Sequence, residues 1–164
     1  PAAAIDPYHV CASHQSLQNF VADSPWSDAG VLGRVQSWVL PKMGIEGDKP
    51  VFMIADDSGI PKAGRHSVGV ARQYCGQLGK TASCQVAVSL SIATESASLP
   101  VKYRLYLPRD WTDDPCRCAV AGVPKEVTEA TKPEISLAQI QEAKAAGLPG
   151  DVVEIGRASW RESV

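Results

Sequence analysis

A chain of 164 residues is long enough for one domain with a true core, and 45% hydrophobic with 21% charged residues excludes an intrinsically disordered protein. No apolar run approaches the roughly 20 residues needed to span a bilayer, and no cationic stretch followed by an apolar one marks a secretory leader. The net charge of −2 argues against a uniformly basic nucleic-acid module.

In chain order, residues 1–30 read as a loose lead-in with a short helix around His14 to Val21. Val31, Leu32, Val35, Trp38 and Val39 then recur at three- and four-residue steps, predicting a helix with one apolar stripe. Ser27 and Asp28 supply its start and Pro41 its end, and Lys42 to Pro50 is a turn-rich connector. Val51 to Ala55 is an unbroken apolar run, expected to be a strand buried on both faces that empties into a polar loop at Asp56-Asp57-Ser58-Gly59.

Further strands are expected over Gln85–Ile92 and Val101–Leu107. The second alternates, with Lys102, Arg104 and Tyr106 on an expected wet face. Pro108 to Pro124 reads as an irregular loop with an acidic clump at Asp110, Asp113 and Asp114. Thr131-Lys132-Pro133-Glu134 matches a capping box with proline in the first turn, Leu137 and Ile140 continue a helix, and Gly147 stops it. Val152-Val153 opens another strand, so the pattern is an α/β domain with a mixed sheet.

The charge is unevenly spread. From Ser58 to Thr94 there is no acidic residue, while Lys62, Arg65, Arg72 and Lys80 all fall there with His66, forming either an anion-facing surface or a solvated basic face. Gly79-Lys80-Thr81 fails as a phosphate-binding loop, because the required earlier glycine is Tyr74. Cys11, Cys75, Cys84, Cys116 and Cys118 make an odd number without framework spacing and read as reduced cytosolic thiols. His9 and His14 read as surface residues, and Trp26, Trp38 and Trp111 as core or interface anchors.

The candidate for chemistry is Asp56-Asp57 at the end of the first strand, where open α/β sheets bind ligands. Successive strand residues point to opposite faces, so one of the two faces a site. A strand-end carboxylate suits a hard cation such as Mg2+, and equally suits a turn before Ser58-Gly59.

The run from Ile54 to Lys80 (IADDSGIPKAGRHSVGVARQYCGQLGK) closely resembles the first catalytic block of DDE-type insertion-sequence transposases, the DDE superfamily endonucleases. Tyr103-Arg104-Leu105-Tyr106-Leu107-Pro108, Trp111 with Asp114-Pro115, Ala121-Gly122-Val123-Pro124 and Thr131-Lys132-Pro133-Glu134 extend the resemblance in order. It implies an RNase H-like mixed sheet with flanking helices, incomplete at the C-terminus and preceded by a small helical N-terminal segment. It also implies three carboxylates holding Mg2+ or Mn2+ for phosphodiester cleavage and strand transfer.

The first carboxylate is then Asp56 or Asp57, with Asp56 favoured because Ser58 lies two residues on, where related enzymes place Ser or Thr. Lys62, Arg65, His66, Arg72 and Lys80 are the candidate DNA contacts. The second carboxylate belongs on the strand after the helix, but the family pattern stops after Val153, and Asp151 lies before that strand.

The expected layout is a helical segment over 1–49, a partial catalytic domain over 50–153, and a foreign-looking or disordered tail over 154–164 that resembles an adaptor-derived sequence. Expected partners are DNA (transposon ends and target) and a second copy in a homodimer, with no membrane, in the bacterial cytoplasm at the nucleoid. The fragment alone is expected to be inactive. The alternative is a non-catalytic DNA-binding or oligomerisation remnant.

Overall fold

The computed structural model describes residues 13–25, 27–45 and 49–156. The chain divides into two compact units between Arg34 and Val35. In the first, α1 (His14–Asp23) starts at Ser13, which is extended and whose hydroxyl accepts the Ser16 N–H. None of its residues is buried. A second helix, α2 (Asp28–Val39), runs across the division, and a short 3-10 turn at Leu40–Lys42 follows. Along the apolar stripe of α2, Val31 is 52% and Trp38 67% exposed, while Val39 packs against the core of the sheet unit.

The second unit is built on a five-stranded mixed sheet. Its strands are β1 (Phe52–Pro61), β2 (Ala71–Cys75), β3 (Lys80–Ala93), β4 (Ser98–Tyr106) and β5 (Val152–Ile155). The 14-residue β3 is the hub. One of its edges pairs antiparallel with β1, and the other pairs first with β2 and then with β4. Strand β5 runs parallel to β1 on the far side, from Phe52↔Val152 to Ala55↔Ile155. Four strands joined by antiparallel pairings, a fifth parallel to β1, and helices packed alongside make this an RNase H-like arrangement.

Several elements differ from the sequence reading. β1 does not end at Ala55; its ladder with β3 continues to Pro61↔Cys84, so the paired aspartates sit in mid-strand and only one face of β1 is buried. β2 went unpredicted because its alternation is short and its outward residues are polar; a 3-10 turn (Gly76–Leu78) and Gly79 at φ +62° join it to β3. The Gly79-Lys80-Thr81 run therefore leads into a strand, not the helix a phosphate loop needs.

In β4 the wet and packed faces are exchanged only over Lys102–Tyr106, past a register shift at Leu90/Ser91. Lys102 and Tyr106 meet the helix side and Tyr103 is 53% exposed, while Val101 and Leu107 are buried as expected. The expected loop at 108–124 contains two short helices, α3 (Arg109–Thr112) and α4 (Pro115–Val120), the latter capped by Asp114.

The long helix α5 (Lys132–Ala145) has the predicted capping box between Thr131 and Glu134, and Gly147 follows at φ +72°. It packs across the sheet, with Gln139 Nε2 donating to the Val88 carbonyl at 3.1 Å and Lys102 paired to Glu142 at 2.9 Å. The core gathers Met53, Ala55, Leu90, Ile92, Val101 and Ala143, and Met43 joins it from the segment expected to be a mere connector. Trp111 is buried, donating to the Val70 carbonyl at 2.9 Å under the Arg117 guanidinium.

Trp26, His9 and Cys11 lie outside the described residues, as do residues 157–164 of the tail expected over 154–164, whose Glu154 and Ile155 end β5. Cys75, Cys84, Cys116 and Cys118 are free thiols. No helix among the described residues is long and apolar enough to cross a membrane.

Candidate active site

Alternation along β1 sends the two aspartates to opposite faces. Asp56 shares a face with Ile54 and Ser58, opposite Ser89 in the ladder, and is exposed. Ser89 Oγ donates to its backbone carbonyl at 3.3 Å, and its carboxylate lies against Gly156, where a side chain's first carbon would collide with Oδ1. Asp57 shares the face of Met53 and Ala55, beneath α5. Its Oδ2 lies 2.8 Å from Lys132 Nζ, and the two side chains are only 10% and 9% exposed.

Lys132 is the first residue of α5. Its backbone is held by the Thr131–Glu134 box and Pro133, while its ammonium also lies 5.5 Å from the centre of the Tyr106 ring. A positive side chain is unfavourable at a helix N-terminus, so its position there is explained by the Asp57 charge. The Thr131 N–H and hydroxyl donate to Glu134 and hold its carboxyl below the usual range. Cys75 and Cys84 are buried nearby. Burial above all, then Cys75, pushes the Cys84 thiol from 9.0 up to about 11, so it stays protonated.

A cleft of about 300 Å3 opens beside the ion pair, lined by Arg72, Tyr74, Thr81, Tyr106, Asp110 and Lys132. Two cations at one concave wall suit a phosphate group. Of the cations expected to touch DNA, only Arg72 lines this cleft. Lys62 follows β1, its N–H donating to the Ser83 carbonyl. Arg65 and His66 are exposed in the next loop; the Arg65 carbonyl accepts from Arg117 at 2.9 Å, and His66 borders a separate hollow with Trp111, Asp114 and Arg117. Lys80 is exposed at the start of β3. The residue missed was Lys132, hidden inside a convincing capping signature. Asp151 is structural: its Oδ2 accepts the Val51 N–H at 3.1 Å and ties the start of β5 to that of β1.

A model of the DDE superfamily endonucleases matches residues 2–154. The chain belongs to that family. A curated relative from Microchaete diplosiphon, described as a probable transposase for insertion sequence element IS701, is 29% identical over 141 residues. Those residues are 86% of this chain and 33% of the relative, so the chain spans about a third of that relative's length. No solved structure matches it.

DDE endonucleases generally use divalent metals, which gives the ion pair a second meaning. Among the described residues no three His, Cys, Asp or Glu side chains come together as a ready-made metal cage. Mg2+ is commonly held by one or two carboxylates with waters and substrate phosphates, and Asp57 fits as a first ligand of that kind. It already faces a positive charge at 2.8 Å, beside a cationic cleft. One turn along α5 the Ser136 hydroxyl is buried without a hydrogen-bond partner among the described residues.

Proposed function

We propose that this chain is a segment of an insertion-sequence transposase and that Asp57 is its first metal-binding carboxylate. The observation that carries the reading is the placement of Asp57: shielded, on the α5 face, next to a cleft bearing Arg72 and Lys132. Asp56 faces the opposite side, away from that cleft. β5 lies directly beside β1, so the strand on which the family resemblance puts the second carboxylate adjoins the first.

In this reading Asp57 holds the metal, and Arg72 and Lys132 hold a DNA backbone phosphate in the cleft. Tyr106 walls the cleft, and α5 covers the site and limits access of water. The bound metal supplies charge neutralisation at the phosphate and an activated hydroxyl nucleophile. The chain alone is inactive, because one carboxylate cannot place two metals. DNA, transposon ends and target alike, is the substrate, which puts the protein at the bacterial nucleoid.

Site-directed oxidation tests the assignment. Fe2+ with ascorbate and peroxide is expected to cleave the backbone around residue 57, and Asp57→Asn is expected to abolish that cleavage while Asp56→Asn leaves it. The reverse pattern would move the ligand to Asp56. Alongside it, the chain is expected to retard duplex DNA in a salt-dependent manner without nicking supercoiled plasmid. DNA binding with no metal-directed cleavage in any form of the protein would favour a non-catalytic binding module.

A further inference from the structure

We propose that Lys132 is the exchangeable counter-ion of Asp57: its ammonium holds the seat a divalent cation takes, and it swings into the neighbouring cleft when that cation arrives. This rests on the reading of Asp57 as a metal ligand. Three observations carry it. First, the ammonium is already in the first shell of the carboxylate, at 2.8 Å, with both groups about nine-tenths shielded from water. A divalent cation cannot approach Asp57 on that side until the lysine moves.

Second, the anchorage favours movement of the side chain alone. The Lys132 backbone is fixed by the capping box and by Pro133, but lysine is a point charge on a four-carbon stem with no paired hydrogen-bond geometry to break. Third, a second seat exists. The Tyr106 ring lies 5.5 Å from Nζ, and Asp110 and Arg72 line the same cleft, so a departing ammonium meets an aromatic face and an acceptor. A DNA phosphate there would draw it the same way. Lys132 is thus a positioning residue that keeps the buried carboxylate compensated before metal arrives.

The test titrates Mn2+ alone into the 15N-labelled chain and follows paramagnetic broadening of the amides flanking residue 57. Lys132→Met removes the competing charge and is expected to lower the midpoint by about tenfold, on the order expected for losing one like charge at close range. Lys132→Arg grips the carboxylate through two hydrogen bonds and is expected to raise the midpoint. Asp57→Asn is expected to abolish local broadening in either background. A Lys132→Met midpoint no lower than that of the parent overturns the exchange role while the Asp57 reading stands. Broadening that survives Asp57→Asn overturns the Asp57 reading itself. Should Lys132→Met fail to fold, the arginine variant decides, because a midpoint unchanged or lowered there is equally fatal.

Discussion

Replacing one partner of the Asp57–Lys132 pair should be among the most damaging single changes in the sheet unit. At 2.8 Å and an effective dielectric constant near 20, the gross attraction is about 6 kcal/mol, and desolvation of both ions offsets much of it. Removing one charge leaves the other shielded and unpaired, which costs about 3–5 kcal/mol in buried pairs. Total stability of a domain is only about 5–15 kcal/mol, so the effect should be plain in urea unfolding followed by circular dichroism.

The informative set is Asp57→Asn, Lys132→Met and the two together. The double variant should be less unstable than the sum of the singles, with a coupling of about 2–3 kcal/mol. Lys49–Glu95, at 2.8 Å but 71% and 67% exposed, serves as the control, with coupling below about 0.5 kcal/mol. A coupling for Asp57–Lys132 as small as the control's would refute the argument, because it would mean water reaches both charges.

Other outcomes follow from the same structure. Because burial raises the Cys84 thiol from 9.0 to about 11, the native state holds its proton longer than the unfolded chain. The contribution of Cys84 should be complete below about pH 9 and be lost between about pH 9 and 11, by up to about 3 kcal/mol, a limb that Cys84→Ala removes in pH-dependent unfolding. Thiol labelling of the folded chain should modify exposed Cys116 readily and spare Cys75 and Cys84; rapid labelling of the buried pair would contradict their placement. Gly69→Ala should destabilise more than Gly122→Ala. Both have positive φ, but only at Gly69 would the new carbon meet backbone, the Tyr106 carbonyl at 2.9 Å; equal thermal shifts would argue against that contact. Trp111→Phe should cost about 1–3 kcal/mol, measured by urea unfolding, because the Val70 carbonyl loses its 2.9 Å donor and keeps only the longer Arg117 contact at 3.5 Å.

The sequence carried the fold well where chemistry is local. The capping box at Thr131–Glu134, the stop at Gly147 and a strand through Gln85–Ile92 depend on near neighbours and appear where expected, the last as part of the longer β3. What was hidden depends on pairing partners far away in sequence. β1 extends through polar residues because β3 supplies a ladder for them, which no apolar-run argument detects. The bulge at Leu90/Ser91 decides which face of β4 is wet, and bulges leave little trace in alternation. At the site, a strand end was the natural place for Asp56-Asp57, yet mid-strand alternation separates them onto opposite faces. Lys132 looked like an ordinary helix-start residue because its partner lies 75 positions earlier; both positions are plain in the sequence, but not their meeting.

The order of strands also sets an order of assembly. β1 to β4 follow one another in the chain and pair around β3 as a nearly local set, whereas β5 closes onto β1 across about a hundred residues, through Asp151 and Val51. Closing so long a loop is slow and gains little until the rest of the sheet exists. During synthesis β1 to β4 can therefore pair while β5 is still being made, leaving Ala55 and its neighbours on β1 as an open hydrogen-bonding edge in the interval. In the finished protein the same seam should be the first to open, so amide exchange should be fastest along β5 and slowest in the doubly flanked middle of β3.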